Sequence, residues 1–576
     1  MHVVATAGHV DHGKSTLVGA LTGQEPDRLE EERRRGLSIQ LGYCWTRLPG
    51  TGDVAFVDVP GHERFISTAL SGLGPVPAVI FVVAADDPWM PQAAEHLAAL
   101  DALDVRHGLL VVTRSDLADP LTALACARAE LSKTSLSEAE AVTVSARTGE
   151  GLGDVREALA RMLSVLPTPP ADAPVRLWVD RRFHVRGAGT VVTGTLPVGT
   201  ISVGDHLEHG GTTVRVRGIE CLGERVDTVS GTARVALELA GRGTAEIARG
   251  DVLVSPGELE PTRVADLRIV GDGSPPERPL LHIGASAGSV RTRPLGERHV
   301  RVTLGTPLPL RLGDRALLRD PGSRSLWGAE VLDPAPPSLR RRGAGTARGR
   351  ALESFDLTLA GQVRERGLTT RAFLRRIGAV EGPLPEGALE AGDFLVSATR
   401  AGELAADVAG LVASSKDPEG PTLGALARAV GVEDGVIAAV VRPPMRLVDG
   451  RLRSPAADLP APLEAALRLL RDDLHGDPFA APHVERLREL GLDAGALARL
   501  HRRGDVLRVG DSVVLLPGAD DLAVRRLEGL GEEFTASEAR LAWGTSRRVA
   551  LALLSHLDRT GRTVRLPDDR RRLRLP

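Results

Sequence analysis

The sequence of 576 residues predicts a multidomain fold: an α/β domain, two small β-barrel domains, and a C-terminal tail of tandem winged-helix domains. Three observations support this prediction. A phosphate-binding motif stands between an apolar strand and a helix at the start of the chain. Short β-rich segments separated by Gly and Pro then run from 174 to about 338, and the remainder repeats a pattern of two helices and a hairpin.

The phosphate-binding motif is Gly8–Ser15, GHVDHGKS, which fits G-x-x-x-x-G-K-[ST]. The apolar run His2–Ala7 precedes it, and a helix is predicted to open at Thr16. This order surrounds phosphates with backbone N–H groups and a helix N-terminus. Lys14 can then reach the β- and γ-phosphates, and the Ser15 hydroxyl can ligate Mg²⁺. The expected phosphate contacts come from the whole loop, namely Gly8, His9, Val10, Asp11, His12, Gly13, Lys14, Ser15 and Thr16.

A second phosphate-side motif is Asp58-Val-Pro-Gly61, which follows the apolar run Val54–Val57. A carboxylate at a strand end can hold Mg²⁺, and the Gly61 N–H can approach a γ-phosphate closely. Asp-x-x-Gly alone is more often an ordinary turn. At this distance after Ser15, however, we interpret it as part of the nucleotide site, with Asp58 as a metal ligand and Gly61 as a phosphate contact.

The base-reading motif is Thr113-Arg114-Ser115-Asp116, which follows a strand predicted over 108–113 and occupies the place of N/T-K-x-D. A carboxylate accepts from guanine N1–H and N2–H₂, whereas adenine would present a lone pair to it. Ser145-Ala146-Arg147 ends the next predicted strand, where a backbone N–H can meet guanine O6. The motifs together predict GTP or GDP with Mg²⁺ as ligands. The expected guanine contacts are Thr113, Arg114, Asp116, Ser145, Ala146 and Arg147.

Composition excludes several classes of protein. The net charge is -3 and the pI about 6.6, so any nucleic-acid surface must be local. Cys44, Cys126 and Cys221 are too scattered for a CxxC metal site or a disulfide framework. The longest apolar stretch, 75–85, is far shorter than the roughly 20 residues that span a bilayer. The sequence enters its first strand without a charged n-region, so we do not expect a signal peptide. We expect a cytoplasmic monomer without membrane association.

The C-terminal tail contains an internal repeat. Ala429–Val440 aligns with Glu489–Leu500, so that Gly431 matches Gly491. In each copy a helix precedes the glycine, a second helix follows, and a hairpin closes the unit, as in a winged helix. The two-residue hairpin turns are Asp449-Gly450 and Gly510-Asp511. Another copy ends the chain, and a weaker one occupies about 351–400.

The predicted domain bounds follow from these changes in composition and in predicted secondary structure. Two linkers are predicted, one at the proline cluster 167–174 and one at the Arg- and Gly-rich stretch Arg340–Arg350. The α/β P-loop domain takes 1–168, and the two barrels take 174–256 and 257–340. The four winged helices take 351–400, 401–456, 460–518 and 519–576.

The last winged helix carries a local basic surface. From position 540 onward ten arginines stand against three aspartates. A charge run is usually only a solvated face. Here a basic helix, predicted over 545–559, and a basic hairpin fall in one small module of a net acidic chain, which favours contact with an RNA backbone. The candidate RNA-binding residues are Arg547, Arg548, Arg559, Arg562 and Arg565.

GHVDHGKS together with DVPGHE resembles the translational GTPases, whose switch-two loop ends in His. The resemblance implies GTP hydrolysis in which His62 orients the attacking water. Arg35-Gly36-Leu37-Ser38-Ile39 resembles the switch-one motif of that class, and Ser38 keeps the hydroxyl needed for Mg²⁺. Arg114 stands where the class has Lys, and Thr113 stands where it has Asn.

Within that class the chain resembles the selenocysteine-specific elongation factors. The matching segments are 21–23, 27–36, 41–43, 179–194, 304–315 and 331–334, together with the winged-helix tail. The resemblance implies delivery of selenocysteinyl-tRNA to the ribosome at a recoded UGA, with a second contact to an mRNA hairpin. It also implies an aminoacyl pocket between the first two domains, for which the candidates are Tyr43, Asp180, Arg181 and Arg234. A selenol is largely an anion at neutral pH, so arginines can favour it over a serine hydroxyl.

Two other functions stay open on the sequence. Winged helices often read DNA, so the chain could be a DNA-binding regulator with a GTP switch, although the β-rich segment 174–338 argues against this. A general elongation factor for ordinary aminoacyl-tRNAs would leave the winged-helix tail unexplained.

Overall fold

The computed structural model describes residues 1–26, 38–62, 65–87, 89–187, 189–271, 273–415, 417, 420–443, 445–453, 459–510 and 513–574. These residues form two compact units, Met1–Pro385 and Glu386–Pro576. The matching segment 27–36, the first three residues of the switch-one motif and the turn residue Asp511 lie outside the described residues. No helix within the described ranges is both long and apolar enough to span a membrane.

The first unit opens with the predicted α/β domain. Its described strands are β1 (His2–Gly8), β2 (Gly42–Leu48), β3 (Gly52–Asp58), β4 (Ala78–Ala84), β5 (His107–Thr113) and β6 (Glu140–Thr143). Its described helices are α1 (Lys14–Thr22), α2 (Ile66–Leu73), α3 (Pro91–Ala102), α4 (Pro120–Leu131) and α5 (Leu152–Ser164).

The sheet of this domain has the order β2-β3-β1-β4-β5-β6, and every neighbouring pair except β2–β3 is parallel. The central strand β4 is buried along its whole length, because separate apolar cores cover the two faces of the sheet. The apolar runs noted in the sequence at His2–Ala7, Val54–Val57 and 108–113 fall in β1, β3 and β5. The loops that carry the motifs leave the carboxyl ends of β1, β3 and β5, where such sheets bind ligands.

Two antiparallel β domains follow. The strands of the first are β7 (Arg176–Trp178), β8 (Arg181–Val185), β9 (Gly189–Leu196), β10 (Thr200–Ser202), β11 (His206–His209), β12 (Thr212–Cys221), β13 (Glu224–Val226), β14 (Thr228–Ser230), β15 (Ala233–Ala240) and β16 (Val252–Val254). Those of the second are β17 (Thr262–Val270), β18 (Leu280–Ile283), β19 (Ser286–Pro294), β20 (His299–Leu308), β21 (Arg315–Arg319) and β22 (Leu326–Asp333). The second set closes into a six-stranded barrel, and the first forms an eight-stranded sheet with β10 and β14 paired beside it.

The predicted linker Arg340–Arg350 is wrong for most of its length, because it forms the start of α6 (Ala344–Glu353). Arg348 on this helix is only 4% exposed and donates to Asp266 at 2.7 Å and to Asp333 at 2.6 Å on the barrel. Gly349 lies so close to the barrel that an added Cβ would meet the Leu295 carbonyl oxygen at 2.0 Å. Buried ion pairs from Arg348 link this polar helix to the barrel, and Leu352 on the same helix is also fully buried.

The first unit continues through α7 (Leu359–Arg366), β23 (Leu368–Thr370) and α8 (Arg371–Arg376). The boundary at Pro385 therefore falls inside the segment predicted as the first winged helix, 351–400. The other predicted domain bounds stay predictions.

The second unit contains the repeated modules. Its described helices are α9 (Ala398–Ser414), α10 (Leu423–Val430), α11 (Asp434–Val440), α12 (Ala461–His475), α13 (Val484–Glu489), α14 (Ala494–Arg502), α15 (Ala519–Leu527), α16 (Ala536–Trp543) and α17 (Arg547–Arg559). Its described strands are β24 (Leu389–Ala391), β25 (Phe394–Val396), β26 (Arg446–Val448), β27 (Arg451–Arg453), β28 (Leu507–Val509), β29 (Val513–Leu515), β30 (Glu533–Phe534), β31 (Thr563–Arg565) and β32 (Arg571–Leu573).

The glycines of the repeat end the first helix of each pair. Gly431, Gly491 and Gly544 have φ values of 74°, 69° and 66°, a left-handed conformation that favours glycine at the end of a helix. In each copy the second helix is followed by an antiparallel hairpin. The predicted helix–turn–helix and wing are thus present, and one apolar core runs from 459 to 557 through the last two modules.

Candidate nucleotide, aminoacyl and RNA sites

The loop after β1 has the conformation that its glycines allow. Gly8 has a φ of 130°, and an added Cβ there would meet the Val82 carbonyl oxygen at 2.1 Å, so only glycine fits. Lys14 is 6% exposed and donates to the carbonyl oxygens of Gly8 at 3.2 Å and His9 at 2.6 Å. The lysine ammonium is therefore held beneath the loop at the first turn of α1.

The predicted metal ligands converge on one point. Ser15 Oγ donates to Asp58 Oδ2 at 2.6 Å and lies 3.1 Å from Ser38 Oγ. Thr6 Oγ1 donates to the other carboxylate oxygen of Asp58 at 2.6 Å, which fixes its orientation. Three convergent oxygen ligands next to a phosphate loop fit the preference of Mg²⁺ for hard oxygen donors. These residues would hold the ion and leave its remaining positions to water and phosphate.

The predicted guanine-reading residues lie at the other end of the same pocket. Ser145 Oγ donates to Asp116 Oδ1 at 2.7 Å, which orients the carboxylate. Thr113 Oγ1 donates to the His12 carbonyl oxygen at 2.7 Å and so ties the guanine loop to the phosphate loop.

A cavity of about 350 Å³ joins the two ends of this site. Its lining includes twelve of the sixteen predicted phosphate and guanine residues, and Gly8, His9, His12 and Ser145 are not among the described lining residues. The lining residues are Val10, Asp11, Gly13, Lys14, Ser15, Thr16, Ser38, Gly61, Thr113, Arg114, Asp116, Leu117, Ala146 and Arg147. Leu117 is an addition that the sequence analysis missed, although its position directly after Asp116 was a usable signal.

Gly61 and His62 follow β3 and are the residues expected at the γ-phosphate. An added Cβ at Gly61 would meet Lys14 Nζ and the Val10 N–H at 2.5 Å, so the close approach requires glycine. His62 is half-buried, and its ring centroid lies 6.0 Å from that of Phe65. His62 is not one of the described residues that line the cavity. Its side chain would therefore have to turn toward a bound nucleotide to act there.

Three histidines lie in or beside the phosphate loop: His9 and His12 within it, and His96 on α3. His96 on α3 is buried and accepts from the Gly8 N–H at 3.1 Å, while His12 Nε2 lies 3.2 Å from Asp87 Oδ2. Burial lowers the pKa of His96 to about 3, and burial also lowers the pKa values of His9 and His12. All three rings are therefore neutral at pH 7. The sequence analysis missed His96, because a lone histidine on a helix carries no motif.

The four aminoacyl candidates form one cluster between the α/β domain and the first β domain. The Arg234 guanidinium pairs with Asp180, which also accepts from Thr193 Oγ1 at 2.7 Å. Arg234 Cζ lies 3.7 Å and Arg181 Cζ 4.6 Å from the centroid of the Tyr43 ring. Burial raises the pKa of Tyr43 well above its usual value, so its hydroxyl stays protonated.

The candidate RNA-binding arginines of the last module are in different situations. Arg547 and Arg559 on α17 are exposed, while Arg548 donates to the carbonyl oxygens of Ala481 and Pro482 at 3.0 and 3.1 Å. Arg562 pairs with Asp521, and Arg565 pairs with Asp569. Arg548 therefore also joins two modules, which its place in the predicted basic helix did not indicate.

Two family models match the chain. The model described as "Elongation factor Tu GTP binding domain" matches residues 1–165, and the one described as "Elongation factor SelB, winged helix" matches residues 525–572. The matches coincide with the α/β domain and with the last winged helix.

Curated relatives extend this comparison. The selenocysteine-specific elongation factor of Desulfomicrobium baculatum is 33% identical over 417 residues, which cover 67% of this chain and 65% of the relative. That of Escherichia coli K12 is 37% identical and covers 59% of this chain and 56% of the relative. Translation initiation factor 2 subunit gamma of Methanothermobacter thermautotrophicus is 32% identical, over 45% of this chain and 77% of the relative. The chain thus spans less than two thirds of the length of either selenocysteine-specific relative.

Among solved structures, a bacterial selenocysteine-specific elongation factor EF-Sec matches with a TM-score of 0.71 and 26% identity, over 100% of both chains. Elongation factor SelB from Methanococcus maripaludis, in complex with GppNHp, matches with a TM-score of 0.50 and 23% identity over 57% of this chain and 78% of that one, which shows the fold alone. The α/β domain, the two β domains and the site geometry define a translational GTPase. With the winged-helix tail and the relatives above, the chain belongs to the family of selenocysteine-specific elongation factors.

Proposed function

We propose that this protein is a GTP-hydrolysing elongation factor that delivers selenocysteinyl-tRNA to the ribosome at recoded UGA codons. It would work as a cytoplasmic monomer. The observation that carries the proposal is the cluster of Tyr43, Asp180, Arg181 and Arg234, in a chain that also has the cavity lined by the nucleotide motifs and a winged-helix tail.

The proposed binding and hydrolysis of GTP follow from the residues that form the nucleotide pocket. GTP or GDP would place its phosphates on the loop Gly8–Thr16 and its base at Asp116, with Mg²⁺ on Ser15, Ser38 and Asp58. His62 would orient the attacking water in an in-line displacement of the γ-phosphate. The metal supplies charge neutralisation for that displacement when it is bound.

The proposed preference for selenocysteine follows from the net charge of the aminoacyl cluster. The cluster brings together two guanidinium groups and one carboxylate, a formal excess of one positive charge among its four members. The Asp180 carboxylate orients Arg234, and the Tyr43 ring supports both guanidinium groups by cation–π contact. Such a pocket favours a selenolate over the neutral hydroxyl of a seryl group, because a buried cation gains free energy from an anionic partner.

The winged-helix tail would supply codon specificity. The exposed Arg547 and Arg559 on α17 and the basic wing β31–β32 are available to the phosphates of a folded mRNA hairpin. Few aromatic side chains are present, so recognition would depend on hairpin shape and backbone contacts.

The decisive experiment is a comparison of selenocysteinyl-tRNA with its seryl precursor, each titrated with the full chain in the presence of GTP. Much tighter binding of the selenocysteinyl form is expected. Equal affinity for ordinary aminoacyl-tRNAs would favour a general elongation factor instead. Preference for a DNA duplex over an RNA hairpin at fixed salt would favour a DNA-binding regulator.

A further inference from the structure

Arg114 links three loops at the mouth of the nucleotide cavity. One terminal nitrogen of its guanidinium donates to the carbonyl oxygen of Asp11 in the phosphate loop. The other nitrogen lies 3.2 and 3.1 Å from the two carboxylate oxygens of Asp86, in the loop after β4. The strands β1, β4 and β5 that lead to these loops are neighbours in the sheet.

The backbone at both ends of this contact is unusual. Asp11 has a φ of 62° and Arg114 a φ of 58°, so two residues with side chains hold the left-handed conformation. That conformation is costly for most residues other than glycine, more so for arginine than for aspartate, and persists where surrounding contacts fix it. The Arg114–Asp11 hydrogen bond joins these two strained positions directly.

A lysine could not make the same link. Lysine presents a single ammonium at the end of a flexible stem, whereas the planar fork of arginine can serve two acceptors in different directions. The third partner, Asp86, is 29% exposed and Arg114 is 35% exposed, so water screens the ion pair only in part.

We propose that Asp86 is a positioning residue for guanine-nucleotide retention, which acts by holding Arg114 across the mouth of the cavity. The inference rests on the proposed binding of GTP and GDP in this cavity. We call the contacts of Arg114 with Asp11 and Asp86 the clasp. With the clasp intact, the phosphate loop and the guanine loop stay together, and release of either nucleotide is slow. Loss of the carboxylate frees the guanidinium and lets the loops separate more often.

The test measures release of methylanthraniloyl-GDP and methylanthraniloyl-GTP from the full chain by stopped-flow fluorescence. Asp86→Asn and Arg114→Lys should each accelerate release about two- to fivefold, the effect expected of one partly exposed ion pair. The double variant should release no faster than the faster single variant, because both changes break the same link. Asp86→Glu, which keeps the carboxylate, should stay close to the wild-type rate.

Two controls separate the clasp from a general effect on the fold. Glu140→Gln breaks another surface pair of the same domain, Arg161–Glu140 at 2.7 Å, and should leave release unchanged. Added sodium chloride should accelerate release from the wild type and have little effect on Asp86→Asn, because salt screens the pair.

The outcomes are distinguishable. Tight nucleotide binding by the wild type, with unchanged release from Asp86→Asn or with fully multiplicative effects in the double variant, overturns the clasp and leaves the proposed function standing. A wild-type chain that binds no guanine nucleotide overturns both.

Discussion

The guanidinium of Arg234 stacks on the ring of Tyr43, with Cζ 3.7 Å from the ring centroid, although the two residues belong to different domains. Asp180 pairs with the same guanidinium, and Arg181 lies over the same ring. A stacked and paired arginine loses little side-chain freedom when a ligand arrives, so this arrangement is preorganised for an anion.

Removal of the Arg181 guanidinium should reduce the discrimination between selenocysteine and serine on the tRNA. We expect Arg181→Met to weaken selenocysteinyl-tRNA binding by about tenfold, equivalent to the loss of one charge-assisted contact. Binding of seryl-tRNA should change little, because its hydroxyl gains less from the cation. Equilibrium titration of both tRNAs checks this, with Arg225→Met on the same β domain as a matched control. Equal losses for both tRNAs would place Arg181 outside the aminoacyl pocket.

Base specificity should depend on Asp116. In Asp116→Asn the carboxamide would accept and donate, which matches the base edge of xanthine better than that of guanine. We expect weaker GTP binding and stronger xanthosine triphosphate binding, measured by competition with a fluorescent nucleotide. Unchanged GTP affinity would contradict the guanine assignment. Ser145→Ala should give a smaller loss, since it removes only the hydrogen bond that orients Asp116.

Hydrolysis and binding should separate at His62. In His62→Ala we expect GTP affinity close to that of the wild type, because His62 lies outside the described lining of the cavity. Ribosome-stimulated hydrolysis should fall by at least about a hundredfold, the usual range for loss of a group that positions a reactant. Single-turnover release of phosphate measures this directly. A variant with full stimulated activity would remove the proposed role.

Acid should destabilise the α/β domain through its buried histidines. His96 has a folded pKa of about 3, below its unfolded value, so the unfolded chain binds more protons between these values. The free energy of unfolding should therefore decrease as the pH falls below about 6.5, by up to roughly 1.4 kcal/mol per pH unit from this residue. His96→Gln, which can still accept from the Gly8 N–H, should flatten that slope. Urea unfolding at several pH values measures it, and an unchanged slope would contradict the assignment.

The structure brings most of the sequence-predicted nucleotide residues to one cavity, because short motifs with fixed spacing specify them. Lys14, Ser15 and Asp116 follow strand ends and Asp58 is the last residue of β3, and the sheet brings these carboxyl ends together. The aminoacyl cluster was predicted through family resemblance alone, since no local pattern relates Tyr43 to Arg234.

Long-range polar contacts were the features that the sequence did not predict. Arg348 lies in a stretch of Gly, Ala, Thr and Arg that has the composition of a linker, and its partners Asp266 and Asp333 are distant in the chain. The interaction of Arg114 with Asp86 depends likewise on the order of strands in the sheet. Such contacts have no periodicity, so only the folded chain shows them.

The two exposed arginines of α17 should separate RNA binding from folding. We expect the double variant Arg547→Gln, Arg559→Gln to bind the mRNA hairpin more weakly and with a smaller salt dependence. Fewer counterions are released from the RNA when the protein makes fewer phosphate contacts. Arg548 is left unchanged, since its bonds to Ala481 and Pro482 join two modules and its loss would also disturb packing. Arg486→Gln is the matched control, because Arg486 pairs with Asp473 on the preceding winged helix. Binding titrations at several salt concentrations check the prediction, and equal affinity and slope in wild type and double variant would place the RNA site elsewhere on the chain.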